Sequence, residues 1–183
     1  SSEYQGDGWG MVMLNGVRGT IRHPTPIWEH DFSCFGPARL LLVHARSAFS
    51  AHPLGVDHNM PFIDPRYSFA FNGELHGVQL RAEGDTGAAK IFSLFRRLDR
   101  GNPEQALQRT VGLLEKRSRH IRACNLVLTD GRHAWAYARS TDEPDYFTMH
   151  VARDNGIRAV SSEPLDNGLG WRPLPSDTVE VVA

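Results

Sequence analysis

Two helical patterns follow one another in the middle of this chain without a strand between them, and strand patterns lie on both sides. That order restricts the fold more than any other feature. In GDTGAAKIFSLFRRLDR, residues 84–100, Asp85 and Thr86 stand as capping residues ahead of Ile91, Leu94, Phe95 and Leu98, which recur at helical spacing. In NPEQALQRTVGLLEKRS, residues 102–118, Asn102 is the cap, Pro103 takes the first helical position, and Leu107, Val111 and Leu114 face inward. A doubly wound parallel sheet would alternate strand and helix, so the order predicts an α+β architecture instead.

The strands are read from their periods and their turns. WGMVMLNGVRGTIRH, residues 9–23, alternates and then reverses at Asn15-Gly16, which predicts a hairpin. ARLLLVHA, residues 38–45, is a continuous apolar run of strand length, which predicts a strand covered on both faces. Residues 47–67 hold three prolines and no steady period and read as a long surface connection. YSFAFN (67–72) is the next strand. After the helices come CNLVLTD (124–130), HAWAYARS (133–140), YFTMHVAR (146–153), IRAVSS (157–162) and, beyond a Pro/Gly-rich loop, TVEVV (178–182). With no internal repeat and no low-complexity linker, residues 1–183 read as one domain.

Composition narrows the partners. Twenty basic residues against 21 acidic ones give a formal net charge of -1, so nothing in the bulk electrostatics points to nucleic acid or an anionic membrane. Cys34 and Cys124 lie far apart with no CxxC, which signals neither a disulfide framework nor a thiolate zinc site. No apolar run is long enough to span a bilayer, and SSEYQGDGWG lacks the charged flank and apolar core of a signal peptide. A reducing, cytoplasmic location is the expectation. The nine histidines include no HExxH, and no Walker-type or dinucleotide-type glycine fingerprint occurs, so neither a metal nor a nucleotide cofactor is expected.

Four strand or helix ends carry residues suited to a ligand. HARSA (44–48) places Arg46 at the end of an apolar strand, where it can clamp a carboxylate through two parallel hydrogen bonds or simply form a surface ion pair. In FAFNGELHG (69–77) an apolar run meets Asn72-Gly73. Either the pair is a two-residue hairpin turn, or Asn72 and the Gly73 amide are presented to a ligand as oxyanion-hole donors. Asp85 of GDT (84–86) is either a helix cap or a carboxylate for an ammonium group. SSEPL (161–165) ends a strand in hydroxyls and a proline.

Taken in order, GDGWG (6–10), HARSA, PF (61–62), FAFNGEL (69–75), GDT before a helix and SSEPL resemble the class II glutamine amidotransferases, which are N-terminal-nucleophile hydrolases. The match extends over nearly the whole chain and is closest to the stand-alone branch carrying the DGWG signature. The resemblance implies a four-layer αββα fold that hydrolyses the γ-amide of glutamine or a related γ-glutamyl compound, using neither metal nor organic cofactor. It implies that Arg46 binds the substrate α-carboxylate, that Asp85 takes the α-amino group, and that Asn72 and Gly73 form the oxyanion hole.

The family's nucleophile is an N-terminal cysteine, on a strand that comes before the DGWG motif. Neither Cys34, in a loop, nor Cys124, opening a late strand, matches it, and both are expected to be ordinary buried thiols. Ser1 has suitable chemistry but would precede the second strand rather than open the first. The expectation is therefore a chain lacking the first strand and helix, with the cysteinyl thioester supplied by an N-terminal peptide or a partner subunit. The alternative is a non-catalytic, amidotransferase-like binding or assembly subunit. Gly87, Ala88 and Ala89 after GDT depart from the acidic run usual in synthetase-type members, which widens the substrate to γ-glutamyl compounds other than glutamine.

Overall fold

The computed structural model describes residues 5–47 and 55–182, so Ser1, Ala48 of HARSA and part of the 47–67 connection lie outside the described residues. The chain divides into two compact units, Ser1–Ala70 and Phe71–Ala183.

In the first unit β1 (Trp9–Asn15) and β2 (Val17–His23) form the expected hairpin, with Asn15 opposite Val17 and Trp9 opposite His23. The third strand, β3 (Leu40–Ala45), pairs on the other side of β1, giving the order β2-β1-β3. β3 differs from expectation. It is an outer strand, and Leu41 and Val43 on one of its faces are 58% and 41% exposed. An unbroken apolar run does not reveal which of its faces is covered. The 47–67 connection also departs from a surface loop, because Asn59, Met60 and Pro61 are buried. Arg22 on β2 donates to the Pro61 carbonyl, and Arg18 donates to the carbonyls of Asp64 and Tyr67. Side chains of one strand thus satisfy main-chain acceptors that a buried connection leaves without a ladder. β4 (Phe62–Ile63) pairs with the first residues of β5 (Ser68–His76), Phe62 opposite Phe69.

The second unit takes up β5 and adds two long helices, a short one and six strands among the described residues. Helix α1 (Gly87–Leu98) starts at Thr86, whose hydroxyl accepts from the Ala89 amide at 3.1 Å. Helix α2 (Pro103–Arg117) starts at Asn102, whose side chain accepts from the Gln105 amide at 3.0 Å. Their inward residues are those of the helical stripes: Ile91, Leu94 and Phe95 on one helix and Leu107, Val111 and Leu114 on the other are buried.

β6 (His120–Thr129), β7 (Ala134–Tyr137) and β11 (Val179–Val181) continue the sheet of β5 in the order β11-β7-β6-β5. β8 (His150–Asp154), β9 (Ile157–Ser161) and β10 (Trp171–Pro173) make a second sheet, β10-β8-β9. Alternation along β7 assigns the layers. Ala136, joined just past the strand by Ala138 and beyond β11 by Val182, packs in one cluster with Met149, Val151 and Leu174 of the second sheet and its flanks. Tyr137, pointing the other way, donates its hydroxyl to Glu115 of α2 at 2.9 Å. Helices therefore cover one face of the central sheet in this unit, and the second sheet covers the other.

Two further elements depart from the sequence reading. Residues 146–147, read as the start of a strand, belong to a short helix, α3 (Pro144–Phe147), because Pro144 at its first position favours a helical start over strand pairing. β10 lies inside the segment read as a Pro/Gly-rich loop.

Two substitutions on α2 test this account of the helices. Asn102→Ala removes the cap and is expected to destabilise by about 1 kcal/mol. A Cβ at Gly112 meets nothing within 4 Å, so Gly112→Ala is expected to stabilise by roughly 0.5–1 kcal/mol. Urea unfolding midpoints measure both, and equal signs would contradict the assignment.

Candidate functional site

Arg46 is the first residue beyond β3. Its amide donates to the Gly8 carbonyl at 2.9 Å and its carbonyl accepts from the Asp7 amide at 3.0 Å. The β1–β3 pairing thus continues past the strand ends, and the GDGWG segment fixes the arginine's backbone on both sides. Its Nη1 donates to Asn59 Oδ1 at 3.4 Å. Beside it Trp9 is fully buried and meets the rings of His30, with centroids 5.0 Å apart, and Phe32, 5.3 Å away. The Thr25 hydroxyl lies 3.0 Å from His23 Nδ1 and 2.9 Å from His30 Nε2, which ties the β2 end to the following loop. In the first unit, then, the DGWG segment is a scaffold and Arg46 is what it presents.

At Asn72-Gly73 the chain does not turn. β5 runs straight through the pair to His76. The glycine is required for another reason: a Cβ at Gly73, where φ is +156°, would stand 2.2 Å from the Ala123 carbonyl oxygen of β6. Glycine inside a strand often marks a close backbone approach, and here that explanation replaces the hairpin. Asn72 itself is exposed, after four consecutive buried residues, Ser68 to Phe71.

Asn72, Glu74 and His76 share one face of β5 by strand alternation. Glu74 accepts from Arg122 Nη1 of β6 at 3.0 Å and stands 2.9 Å from His76 Nε2. Arg122 also donates to Glu143, and its guanidinium lies over the Phe147 ring at 5.3 Å. The hydrogen bond to Glu143, and then that to Glu74, raises the Arg122 pKa above its ordinary value, so this arginine stays charged and closed between two carboxylates. Asn125, buried on β6, donates to the Phe147 carbonyl at 2.7 Å. These contacts hold α3 against the polar face that begins at Asn72. The sequence reading passed over Glu74, Arg122 and Glu143. The alternating polar residues at 72, 74 and 76 were the available signal for the first of them.

Asp85 does not cap α1, since Thr86 does, and its carboxylate is exposed just ahead of the helix. Ser161 ends β9, and its Oγ accepts from the Glu163 amide at 3.3 Å in an exposed turn, which accounts for the serine without a ligand. Arg46 thus belongs to the first unit, and Asn72, Gly73 and Asp85 to the second. Among the described residues no group of three or more His, Cys, Asp or Glu side chains could hold a metal ion, and no helix is long and apolar enough to cross a membrane.

The solved structure of a glutamine aminotransferase class-II domain protein from Silicibacter pomeroyi matches with a TM-score of 0.65, at 22% identity over 92% of this chain and 84% of that one. A predicted glutamine amidotransferase from Pseudomonas aeruginosa matches with a TM-score of 0.61, at 18% identity over 97% of this chain and 87% of that one. The fold resembles that of class II glutamine amidotransferases. Glutamine phosphoribosylpyrophosphate amidotransferase from B. subtilis gives a TM-score of 0.71 at 12% identity, over 96% of this chain but only 42% of that longer one. No protein-family model and no curated protein matches the chain. At these identities the likeness to the amidotransferases is one of fold.

The cysteines are unlike each other. Cys34 is exposed, not buried as expected, because it sits in the loop after the first hairpin, where its Sγ lies 3.6 Å from the Asp31 carbonyl. Cys124 is buried on β6, and burial pushes its thiol up to about 12. A thiol with that pKa has almost no thiolate near neutrality and is a poor nucleophile. Iodoacetamide at pH 8 is therefore expected to label Cys34 in the native protein and to reach Cys124 only after denaturation. Peptide mass mapping checks this, and equal labelling of both in the folded protein would contradict the burial of Cys124.

Proposed function

We propose that this chain is the glutaminase-like part of a γ-glutamyl amidohydrolase with a four-layer αββα, N-terminal-nucleophile architecture. It hydrolyses the γ-amide of glutamine or a related γ-glutamyl compound. Arg46 receives the substrate α-carboxylate, Asp85 the α-ammonium, and Asn72 with the Gly73 amide stabilises the oxyanion. The nucleophile is an N-terminal cysteine, as the resemblance to the family implies, and the Cys124 thiol, held protonated by burial, does not fill that role.

One observation carries the reading. Asn72-Gly73 lies in continuous strand, so turn formation no longer accounts for the asparagine, and an exposed carboxamide beside a glycine amide remains. The resemblance of the fold to class II amidotransferases supports the reaction class. The availability of Asp85, whose capping role is taken by Thr86, supports the ammonium contact.

The chemistry follows from these roles. The thiolate attacks the γ-carbonyl carbon, and the negative charge that develops on the oxygen is met by the Asn72 amide and the Gly73 N–H. Collapse expels ammonia, protonated on leaving, and forms a γ-glutamyl thioester. Water then attacks the thioester, releasing the γ-carboxylate and restoring the thiol. The α-carboxylate and α-ammonium sit on one carbon, so a site that fixes the distant amide must satisfy both charges.

Steady-state release of glutamate by the full-length protein tests the assignment. Arg46→Lys keeps the charge but loses the planar fork, and Asp85→Asn removes the counter-charge at nearly constant size. Each is expected to lower kcat/KM by about tenfold or more. Asn72→Ala acts where charge develops and is expected to lower kcat on the order of 100-fold with little change in KM. If Arg46→Lys and Asp85→Asn both stay within about twofold of the parent, the clamp is wrong. A folded full-length protein that binds γ-glutamyl compounds without turnover is instead a binding subunit.

A further inference from the structure

The geometry points to Asn59 as the positioning residue of this site: its buried carboxamide orients the Arg46 guanidinium for a substrate carboxylate through a neutral acceptor that does not itself offset the arginine's charge. The inference rests on the assignment of Arg46 to that carboxylate.

Asn59 is 1% exposed, and both ends of its side chain are used. Nδ2 donates to the His23 carbonyl at 2.7 Å and Oδ1 accepts from Arg46 Nη1 at 3.4 Å. The first bond fixes the second. A main-chain carbonyl only accepts, so the amino end of the amide must face His23, and the oxygen must then face Arg46. Gly8 closes the arrangement from the other side. A Cβ there would lie 2.4 Å from Asn59 Nδ2 and 2.5 Å from the His23 oxygen, and its φ of +107° is one that side chains rarely adopt. The same Gly8 accepts the Arg46 amide through its carbonyl. Backbone and guanidinium of Arg46 are therefore referred to a single rigid group made of Gly8, His23 and Asn59.

The neutrality of that group matters as much as its position. A carboxylate at 59 would turn an acceptor toward the His23 carbonyl, and it would also neutralise Arg46 and compete with any anionic ligand. An amide oxygen can fix the guanidinium plane and still leave a full positive charge. Arg122 shows the opposite arrangement, closed between Glu74 and Glu143.

The test uses the full-length protein with two substrates: L-glutamine, and 4-aminobutanamide, which is glutamine without its α-carboxylate. Asn59→Ala is expected to lower kcat/KM for L-glutamine by about tenfold, mainly through KM, and to change 4-aminobutanamide by less than about twofold. Combined with Arg46→Lys it is expected to add less than about twofold, because the two residues act as one unit. Asn59→Asp keeps the shape and the acceptor toward Arg46, whose positive charge offsets part of the cost of the acceptor turned toward His23, and both variants are read kinetically once circular dichroism shows them folded. Asn59→Asp is expected to raise KM for L-glutamine and to spare 4-aminobutanamide. A structural readout runs in parallel: the Arg46 Nε–Hε resonance is expected to show an ordered side chain in the parent and in Asn59→Asp, and averaging in Asn59→Ala. An Arg46 that stays ordered in Asn59→Ala, or equal losses for both substrates, would overturn the positioning role alone. Loss of that order together with a silent Arg46→Lys would overturn the assignment of Arg46 itself and the inference built on it.

Discussion

The close approach of β5 to β6 at Gly73 is the constraint on which the presentation of Asn72 depends. The space a side chain would occupy at position 73 is taken by the Ala123 carbonyl. On its other side β6 is held by β7 and its extension, where the main chains of Cys124 and Arg139 exchange both hydrogen bonds, at 2.7 and 3.2 Å. A glycine within a strand costs roughly 0.5–1 kcal/mol relative to alanine. The benefit is positional: Asn72 is fixed by strand pairing on both flanks of β6 rather than by a loop, which suits the oxyanion-hole role proposed for it, since such a donor works best when it needs no reorganisation.

The first unit reaches a similar result by a different route. Arg46 lies beyond the end of its strand, yet its two main-chain groups remain paired with Asp7 and Gly8. The buried segment from Asn59 to Pro61 supplies the side-chain contact, and that segment is in turn anchored by Arg22 through the Pro61 carbonyl. A buried connection must satisfy its polar atoms without a regular ladder, and here arginines of β2 do so. Trp9, the largest fully buried side chain of the unit, fills the space next to this framework.

The sequence disclosed the elements whose signals are local. Capping residues, a proline at the first helical position and a 3.6-residue stripe placed both long helices to within a few residues, and Asn15-Gly16 placed the hairpin turn. What it concealed depended on distant neighbours. Asn15-Gly16 and Asn72-Gly73 are the same dipeptide in similar surroundings. One turns and the other continues, because only the second has a carbonyl from β6 against the glycine. The open face of β3, the burial of Asn59 and the exposure of Cys34 likewise follow from what packs nearby and not from local composition. Of the candidate site, the residues proposed to touch substrate were named from the sequence by type. The groups holding them, Asn59 above all, were not.

The arginines show why partner chemistry matters more than position. Arg122 lies within β6 and Arg46 just beyond β3, and the two differ most in what they meet. Arg122 is closed between Glu74 and Glu143, and Arg139 faces Glu115 and Asp177, so these charges are spent in holding elements together. Arg18 and Arg22 reach main-chain carbonyls and pin a connection. Arg46 meets a neutral, immobilised carboxamide at the long end of hydrogen-bond range. A guanidinium oriented by a neutral acceptor keeps its electrostatic attraction for an anion, whereas one already matched by two carboxylates would have to give up existing charge-assisted bonds to accept another. On that physical ground Arg46, and not Arg122, is the arginine suited to bind a carboxylate.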